Sequence, residues 1–429
     1  MREDFEEIVT TKVLLVGVDT GEEQDFAHSM EELKSLAEAA YKEVVGVIVQ
    51  KMDAVNKALY IGTGKVAEVK SYAAAMGAEE VVFDNALNPS QIRNLGNELD
   101  LPVLDRTNLI LDIFALRAKT KEAKLQVETA RLQYMLPRLI GMRDNLSRQG
   151  GTGGSMSNKG AGETKLELDR RKIEHRISEL KKELEEVSNN RDTMRKRRDR
   201  SGIPQVALVG YTNAGKSTIM NQLVSAYGTN KEKTVLEKDM LFATLDTNIR
   251  NIETGDKKPF YLADTVGFIH KLPHGLVKAF RSTLDEVRYA DLLVQVVDFS
   301  DEHYKQHMEV TAETLAELGA GDIPQIIVYN KADKCDMSEI PKVVDHTIYM
   351  AAGKQIGLEE LVALIKSVVY GDYIEAEFMI PYQRGDIYSY FCEHSTVAEQ
   401  EHLPEGTRIK THCSRKDAEK YADYVILSK

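Results

Sequence analysis

Residues 210–218 read Gly-Tyr-Thr-Asn-Ala-Gly-Lys-Ser-Thr and follow an apolar, β-branched run at 205–209. A strand feeding G-x-x-x-x-G-K-S is a P-loop, which requires a strand, a tight anion-binding turn and a helix in that order. Glycines 210 and 215 let the backbone curl until several N–H groups face one anion. The expected phosphate cradle is Gly210, Tyr211, Thr212, Asn213, Ala214, Gly215, Lys216 and Ser217. Lys216 reaches the β- and γ-phosphates, the Ser217 hydroxyl suits Mg2+, and the next helix turns its positive end to the anion.

Four further stretches fit the same site. Residues 325–329 form an apolar strand that ends in Asn330-Lys331-Ala332-Asp333. The Asp333 carboxylate can accept from guanine N1–H and N2–H2, a donor pair that adenine lacks. Such a site rejects the wrong base by orders of magnitude. Residues 260–263 lead into Asp264-Thr265-Val266-Gly267, with Asp264 placed to hold Mg2+ through water and the Gly267 N–H placed to meet the γ-phosphate. Phe242-Ala243-Thr244-Leu245-Asp246 offers Thr244 as a second Mg2+ hydroxyl, in a segment ordered by the γ-phosphate; Thr247 is its rival. Ala351 and Ala352 follow another apolar run and offer backbone N–H to the guanine edge. The expected catalytic groups are Lys216, Thr244 and Gly267. Phe268 stands where Ras-type GTPases carry a water-orienting glutamine, so slow intrinsic hydrolysis and dependence on a partner are expected. Asn213 is a candidate for holding K+ near the phosphates.

A chain of 429 residues implies several domains. Four are expected: a parallel α/β domain over 1–115, a helical coiled-coil hairpin over 116–200, a P-loop nucleotide domain over 201–371, and a small α+β domain over 372–429. In the first, strand signals at 12–18, 44–49, 80–83 and 101–104 alternate with helix signals. From 105 to 143 the pattern is helical throughout. Leu125, Leu132 and Leu139 recur every seven residues, as do Leu166, Ile173, Leu180 and Val187 after a glycine-rich stretch at 149–162. That spacing predicts an antiparallel hairpin with an apolar seam. Gly62-Thr63-Gly64-Lys65 reads as a turn and not as a second nucleotide site.

The net charge of −12 argues against uniform coating by nucleic acid, yet basic residues crowd the hairpin. Arg148, Lys159, Lys165, Arg170, Arg171 and Lys172 flank the glycine stretch and are candidates for phosphate contacts with RNA. Three widely spaced cysteines make no disulfide framework or metal pattern, and no signal peptide or long apolar span is present. A cytosolic, monomeric protein is expected.

Several stretches together resemble the HflX family of bacterial translation-associated GTPases. They are Tyr60-Ile-Gly-Thr-Gly-Lys65, Asp105-Arg-Thr-Asn-Leu-Ile-Leu-Asp-Ile-Phe114, Leu132-Gln-Tyr-Met-Leu-Pro-Arg138, Leu146-Ser-Arg-Gln-Gly-Gly151, Asp169-Arg-Arg171, Phe242-Ala-Thr-Leu-Asp246, Asp264-Thr-Val-Gly-Phe268 and Leu272-Pro-His274. The resemblance implies the same four domains and a GTPase that binds the large (50S) ribosomal subunit near its catalytic centre. It also implies splitting or recycling of stalled or stressed ribosomes, hydrolysis stimulated by the ribosome, and a hairpin loop that reaches ribosomal RNA. Other functions compatible with the residues are an ATP-using RNA-remodelling enzyme driven by the N-terminal domain, and a ribosome assembly or hibernation factor. Three positions depart from the family pattern: Lys159-Gly-Ala-Gly-Glu163 in the loop, Ala351-Ala352, and Thr247 after Leu-Asp.

Overall fold

The computed structural model describes residues 10–428 apart from 22–24, 149–158, 201, 229–240, 243–244, 246, 257, 272, 274–275, 277–285, 338 and 372. The chain divides into two compact units. One draws on residues 1–188, 238–246 and 270–282, the other on 189–237, 247–269 and 283–429.

In the first unit, β1 (Thr11–Asp19), β2 (Lys42–Lys51), β3 (Glu80–Phe83) and β4 (Val103–Asp105) form a parallel sheet in the order β2-β1-β3-β4. The crossovers are α1 (Phe26–Ala39), α2 (Thr63–Met76) and α3 (Pro89–Leu99), and α4 (Arg106–Arg117) follows β4. Local chemistry sets the helix ends. Asp25 caps α1, α2 stops at Gly77 in the left-handed region, and Asn88 and Gln91 form a capping box around Pro89. Gly62 is only the N-cap of α2, and Lys65 pairs with Glu68. Residues 13–18 of β1 are almost all buried, as a central strand covered on both faces demands.

The helical stretch does not run on unbroken from residue 105. α4 ends at Arg117, and α5 (Lys121–Arg148) begins after a three-residue break. α6 runs from Lys159 to Arg200, so it starts inside the expected glycine loop; the rest of that loop, 149–158, lies outside the described residues. Glu128 pairs with Arg176 and Lys121 with Glu183, numbers rising in one helix as they fall in the other. α5 and α6 are therefore antiparallel, and Leu125 and Ala130 of the one and Ile177 and Leu180 of the other are buried.

The second unit holds a seven-stranded sheet in the order β10-β11-β9-β8-β5-β7-β6. The strands are β5 (Gln205–Val209), β6 (Asn248–Ile252), β7 (Phe260–Asp264), β8 (Leu292–Asp298), β9 (Gln325–Asn330), β10 (Lys342–Val344) and β11 (Thr347–Tyr349). The five central strands are parallel, and β6 and β10 run antiparallel at the edges. The helices are α7 (Lys216–Tyr227), α8 (Tyr304–Leu318) and α9 (Leu358–Val369). β5 sits between β7 and β8, so the chain leaves its carboxyl end at a topological switch point, where open α/β sheets bind ligands. A separate antiparallel sheet, β13-β14-β12-β15, is built from β12 (Tyr373–Ile380), β13 (Thr396–Leu403), β14 (Gly406–Ser414) and β15 (Val425–Ser428). It packs Phe378 and Ile409 against Phe391 of α10 (Gly385–His394). Among the described residues no helix is long and apolar enough to cross a membrane.

The first unit also gathers four charges, three of them buried, at the carboxyl end of its sheet. Arg106, 2% exposed, donates to Glu32 at 2.5 Å and to Asp84 at 2.8 Å, and Lys271 reaches Asp84 at 2.6 Å. Burial alone would raise the Asp84 pKa, but Arg106 and Lys271 outweigh it and hold the carboxyl below its usual range. Arg106→Met would remove the guanidinium between two buried carboxylates, which costs about 3–5 kcal/mol when one partner of a buried pair is lost. Chemical denaturation should register that loss in the transition of this unit; an unchanged midpoint would contradict it.

Candidate nucleotide site

The P-loop leaves β5 at Gly210, whose φ is +137°; a Cβ there would lie 2.2 Å from the Val296 carbonyl oxygen of β8. Gly215, φ +98°, faces the Asn330 amide, with a Cβ only 2.2 Å from Nδ2. Both glycines are thus required by space as well as by backbone angle. Asn330 ties two loops together. Its Nδ2 donates to the Ala214 carbonyl at 2.9 Å, and its Oδ1 accepts from the Ala352 N–H at 3.0 Å. Lys331 adds a second tie, donating to the Asn213 carbonyl at 3.0 Å and to Asp298 at 2.7 Å.

Lys216 opens α7 and is only 6% exposed. Its Nζ donates to the carbonyls of Gly210 at 3.0 Å and Tyr211 at 2.6 Å. Burial pulls its pKa down to about 8, against the opposing pull of Asp264. Ser217 Oγ donates to Asp264 Oδ2 at 2.8 Å, and Asp264 is fully buried at the end of β7. A hydroxyl and a carboxylate so placed form an oxygen donor set suited to a hard cation such as Mg2+. Thr265 and Val266 are buried, with Thr265 Oγ1 donating to the Leu208 carbonyl.

Gly267 closes on the loop. A Cβ there would lie 2.8 Å from Thr212 Cα and 3.0 Å from Lys216 Nζ. Phe268 follows at 2% exposure, so its ring is core and offers nothing polar to a water. Its backbone is bound to the loop on both sides: the Phe268 N–H donates to the Gly210 carbonyl at 3.1 Å, and Thr212 N–H donates to the Phe268 carbonyl at 2.8 Å.

At the base end, Ala332 is buried and Asp333 is paired with Lys354 at 2.9 Å, a hydrogen bond that lowers the Asp333 pKa. The Ala351 and Ala352 N–H groups are donated to the Ile356 carbonyl and to Asn330. Phe242 and Leu245 are buried in the first unit, Phe242 edge-on to Phe114 at 4.8 Å. Ala243, Thr244 and Asp246 lie outside the described residues. Of the RNA candidates, Arg170 pairs with Glu167 and Glu174, Arg171 with Glu167, and Lys172 with Asp169. The side chains of Arg148, Lys159 and Lys165 lie outside the described set.

Sequence reasoning missed the Lys354 partner of Asp333, the Phe268 backbone pairs, and a stacked ring beneath Tyr211. None of these leaves a periodic or motif signal.

If the Lys216 ammonium is the phosphate-binding charge that the motif predicts, nucleotide binding above about pH 8 takes up a proton. GDP affinity, measured by fluorescence titration, should hold below pH 8 and fall above it, with a log slope approaching −1. A Lys216→Met variant should show weak binding without that alkaline limb; the same limb in the variant would assign it elsewhere.

Three family models match consecutive parts of the chain: GTP-binding GTPase N-terminal at residues 27–115, GTP-binding GTPase Middle Region at 117–198, and 50S ribosome-binding GTPase at 205–331. GTPase HflX of Caldanaerobacter subterraneus is 41% identical over 97% of this chain and 94% of its own length. GTPase HflX of Escherichia coli K12 is 37% identical over 91% of this chain and 90% of its own. A solved GTP-binding protein of Sulfolobus solfataricus in complex with GDP is 25% identical, covers 84% of this chain and 99% of its own, and superposes with a TM-score of 0.45.

Proposed function

We propose, taking as premise that this chain belongs to the HflX family of GTPases, that it is a GTP-timed factor of the large ribosomal subunit. It hydrolyses GTP to GDP and phosphate. The observation that carries the guanine reading is the sequence Asn330-Lys331-Ala332-Asp333 at the end of β9, with Asn330 joining the P-loop to the Ala351-Ala352 loop.

In this reading Gly210–Ser217 hold the phosphates through backbone N–H groups and Lys216. Ser217 and Asp264 would hold Mg2+, the latter through water, and Thr244 would be the second hydroxyl ligand. Held there, Mg2+ would supply positive charge to the phosphates, and Asn213 would be the residue to hold a K+ that adds to it. Gly267 meets the γ-phosphate, so the segment through Phe268 distinguishes GTP from GDP by its contacts. Asp333 reads guanine by exchanging its bond to Lys354 for the base. Phe268 brings no water-orienting group, which leaves acceleration of hydrolysis to the ribosome.

The four-domain division, the monomeric state and the cytosolic location belong to the same reading. The hairpin made by α5 and α6 carries the basic tip to ribosomal RNA. The pairs that Arg170, Arg171 and Lys172 make within their helix are exposed and screened by salt, so RNA phosphates can displace them. Bound with GTP, the protein engages the subunit and drives splitting or recycling of stalled or stressed ribosomes; hydrolysis releases it.

Two experiments test this. Nucleotide competition should show GTP displacing labelled GDP at concentrations where ATP does not, and Asp333→Ala should abolish most of that preference, by orders of magnitude. ATP competing equally with the unaltered protein would reject the guanine assignment. Sedimentation with ribosomes should place the protein on the large subunit with a non-hydrolysable GTP analogue and release it with GTP. Reversing the charges of Arg170, Arg171 and Lys172 should weaken that binding and flatten its salt dependence. Failure to sediment with either nucleotide would overturn the ribosomal reading.

A further inference from the structure

Gly210 carries no side chain, and the space beside it is filled by Val296. Tyr211 therefore supplies the first side chain beyond β5 that can anchor the P-loop. Its ring is buried, 6% exposed, and lies flat on the imidazole of His307, with ring centroids 3.8 Å apart and planes 11° apart. His307 comes from α8, 96 positions along the chain, and is itself 8% exposed.

The two ends of Tyr211 do different work. The ring rests on α8, while the carbonyl accepts the shorter of the two hydrogen bonds from Lys216 Nζ, 2.6 Å against 3.0 Å for Gly210. The backbone also pairs alongside Phe268. His307 is fixed in turn. Its N–H donates to the His303 carbonyl, its carbonyl accepts from Thr311 Oγ1, and its Nδ1 lies 3.8 Å from the Asp301 carboxylate. A carbonyl held by a stacked ring gives a buried ammonium a fixed acceptor, and burial makes that ammonium dependent on its acceptors.

We propose that His307 is a positioning residue for nucleotide binding: by stacking on Tyr211 it fixes the carbonyl that orients Lys216 toward the phosphates. This rests on the GTPase reading of the site. His307 touches neither base nor phosphate in this scheme, and its effect passes through Tyr211. Because Lys216 serves GDP and GTP alike, the stack contributes to binding of both, and the loss should fall on affinity more than on turnover.

The test is a set of four variants of the full chain: His307→Ala, His307→Leu, His307→Phe and Tyr211→Ala, with the double variant His307→Ala/Tyr211→Ala. Fluorescent GDP and a non-hydrolysable GTP analogue are titrated into each, and thermal unfolding confirms the fold. His307→Ala should weaken both nucleotides by a similar factor, about 2- to 12-fold from the usual strength of a stacked pair. KM should rise by more than kcat falls. His307→Leu, which keeps bulk but has no ring, should resemble His307→Ala and serves in its place if that variant does not fold. His307→Phe should restore most of the affinity. The double variant should lose no more than the weaker-binding single one, since both remove the same contact.

Unaltered affinity in His307→Ala and His307→Leu would overturn the proposal. So would a Phe variant as weak as Ala, a loss confined to kcat, or single losses that multiply in the double variant. Failure of the unaltered protein to bind GDP would instead overturn the GTPase reading itself.

Discussion

The nucleotide site is organised around one side-chain amide. Asn330 stands at the end of β9 and is 2% exposed. Its two functional atoms are satisfied by backbone from two different loops, Ala214 of the P-loop and Ala352 beyond β11. A buried amide with both atoms paired is worth keeping, since leaving either unpaired costs the desolvation of a polar group. The amide also takes the space that a side chain at residue 215 would need. One residue thus fixes the spacing between the P-loop and the loop beyond β11, and it makes Gly215 a steric necessity. Lys331 repeats the device one position later, reaching back to Asn213 from a left-handed backbone conformation.

Much of this was legible from the chain alone, where the chemistry is local. G-x-x-x-x-G-K-S, Asp264-x-x-Gly267 and Asn330-x-x-Asp333 each compress a site element into a few adjacent residues, and the periodic strands and helices between them give a parallel sheet. The long helical pattern appears as α5 and α6, and Glu128–Arg176 together with Lys121–Glu183 gives their antiparallel sense. Edge strands were harder. β6, β10 and β15 are short, and β6 and β13 carry polar residues such as Asn248, Asn251, Glu399 and Gln400, so they give a weaker strand signal than the central strands. The start of α6 was misplaced because Gly160 and Gly162 read as breakers; the structure carries the helix through them from Lys159.

Long-range polar pairs were invisible for a different reason: nothing in the sequence links residues that meet only through the fold, from 22 to 242 positions apart. Lys271 meets Ser29 and Asp84, and Arg106 stands between Asp84 and Glu32. Asp84 and Arg106 directly follow β3 and β4, and Ser29 and Glu32 lie in the first half of α1. The carboxyl end of a parallel sheet gathers helix starts and their polar residues, which is why it hosts ligands in other α/β folds. Here two acids and two bases satisfy one another within the first unit. The N-terminal Gly-x-Gly-Lys, which sits on a helix start of the same sheet, uses its lysine for Glu68.

Phe268 connects these strands of argument. A polar residue at that position would be free to orient water; a phenylalanine is drawn into the core, and its ring is buried. Burial of the ring brings the backbone down onto the P-loop, where its N–H and carbonyl pair with Gly210 and Thr212. The preceding Gly267 then lies within reach of Lys216 with no room for a side chain. The substitution that removes a catalytic side chain therefore also couples this segment to the phosphate loop through backbone alone. Such a coupling is set by geometry and not by a titrating or hydrogen-bonding side chain, so it responds to whatever moves the loop. In the reading proposed above, where contacts with the ribosome time hydrolysis, a segment joined to the phosphate loop through its backbone is a physical means by which such contacts could be transmitted.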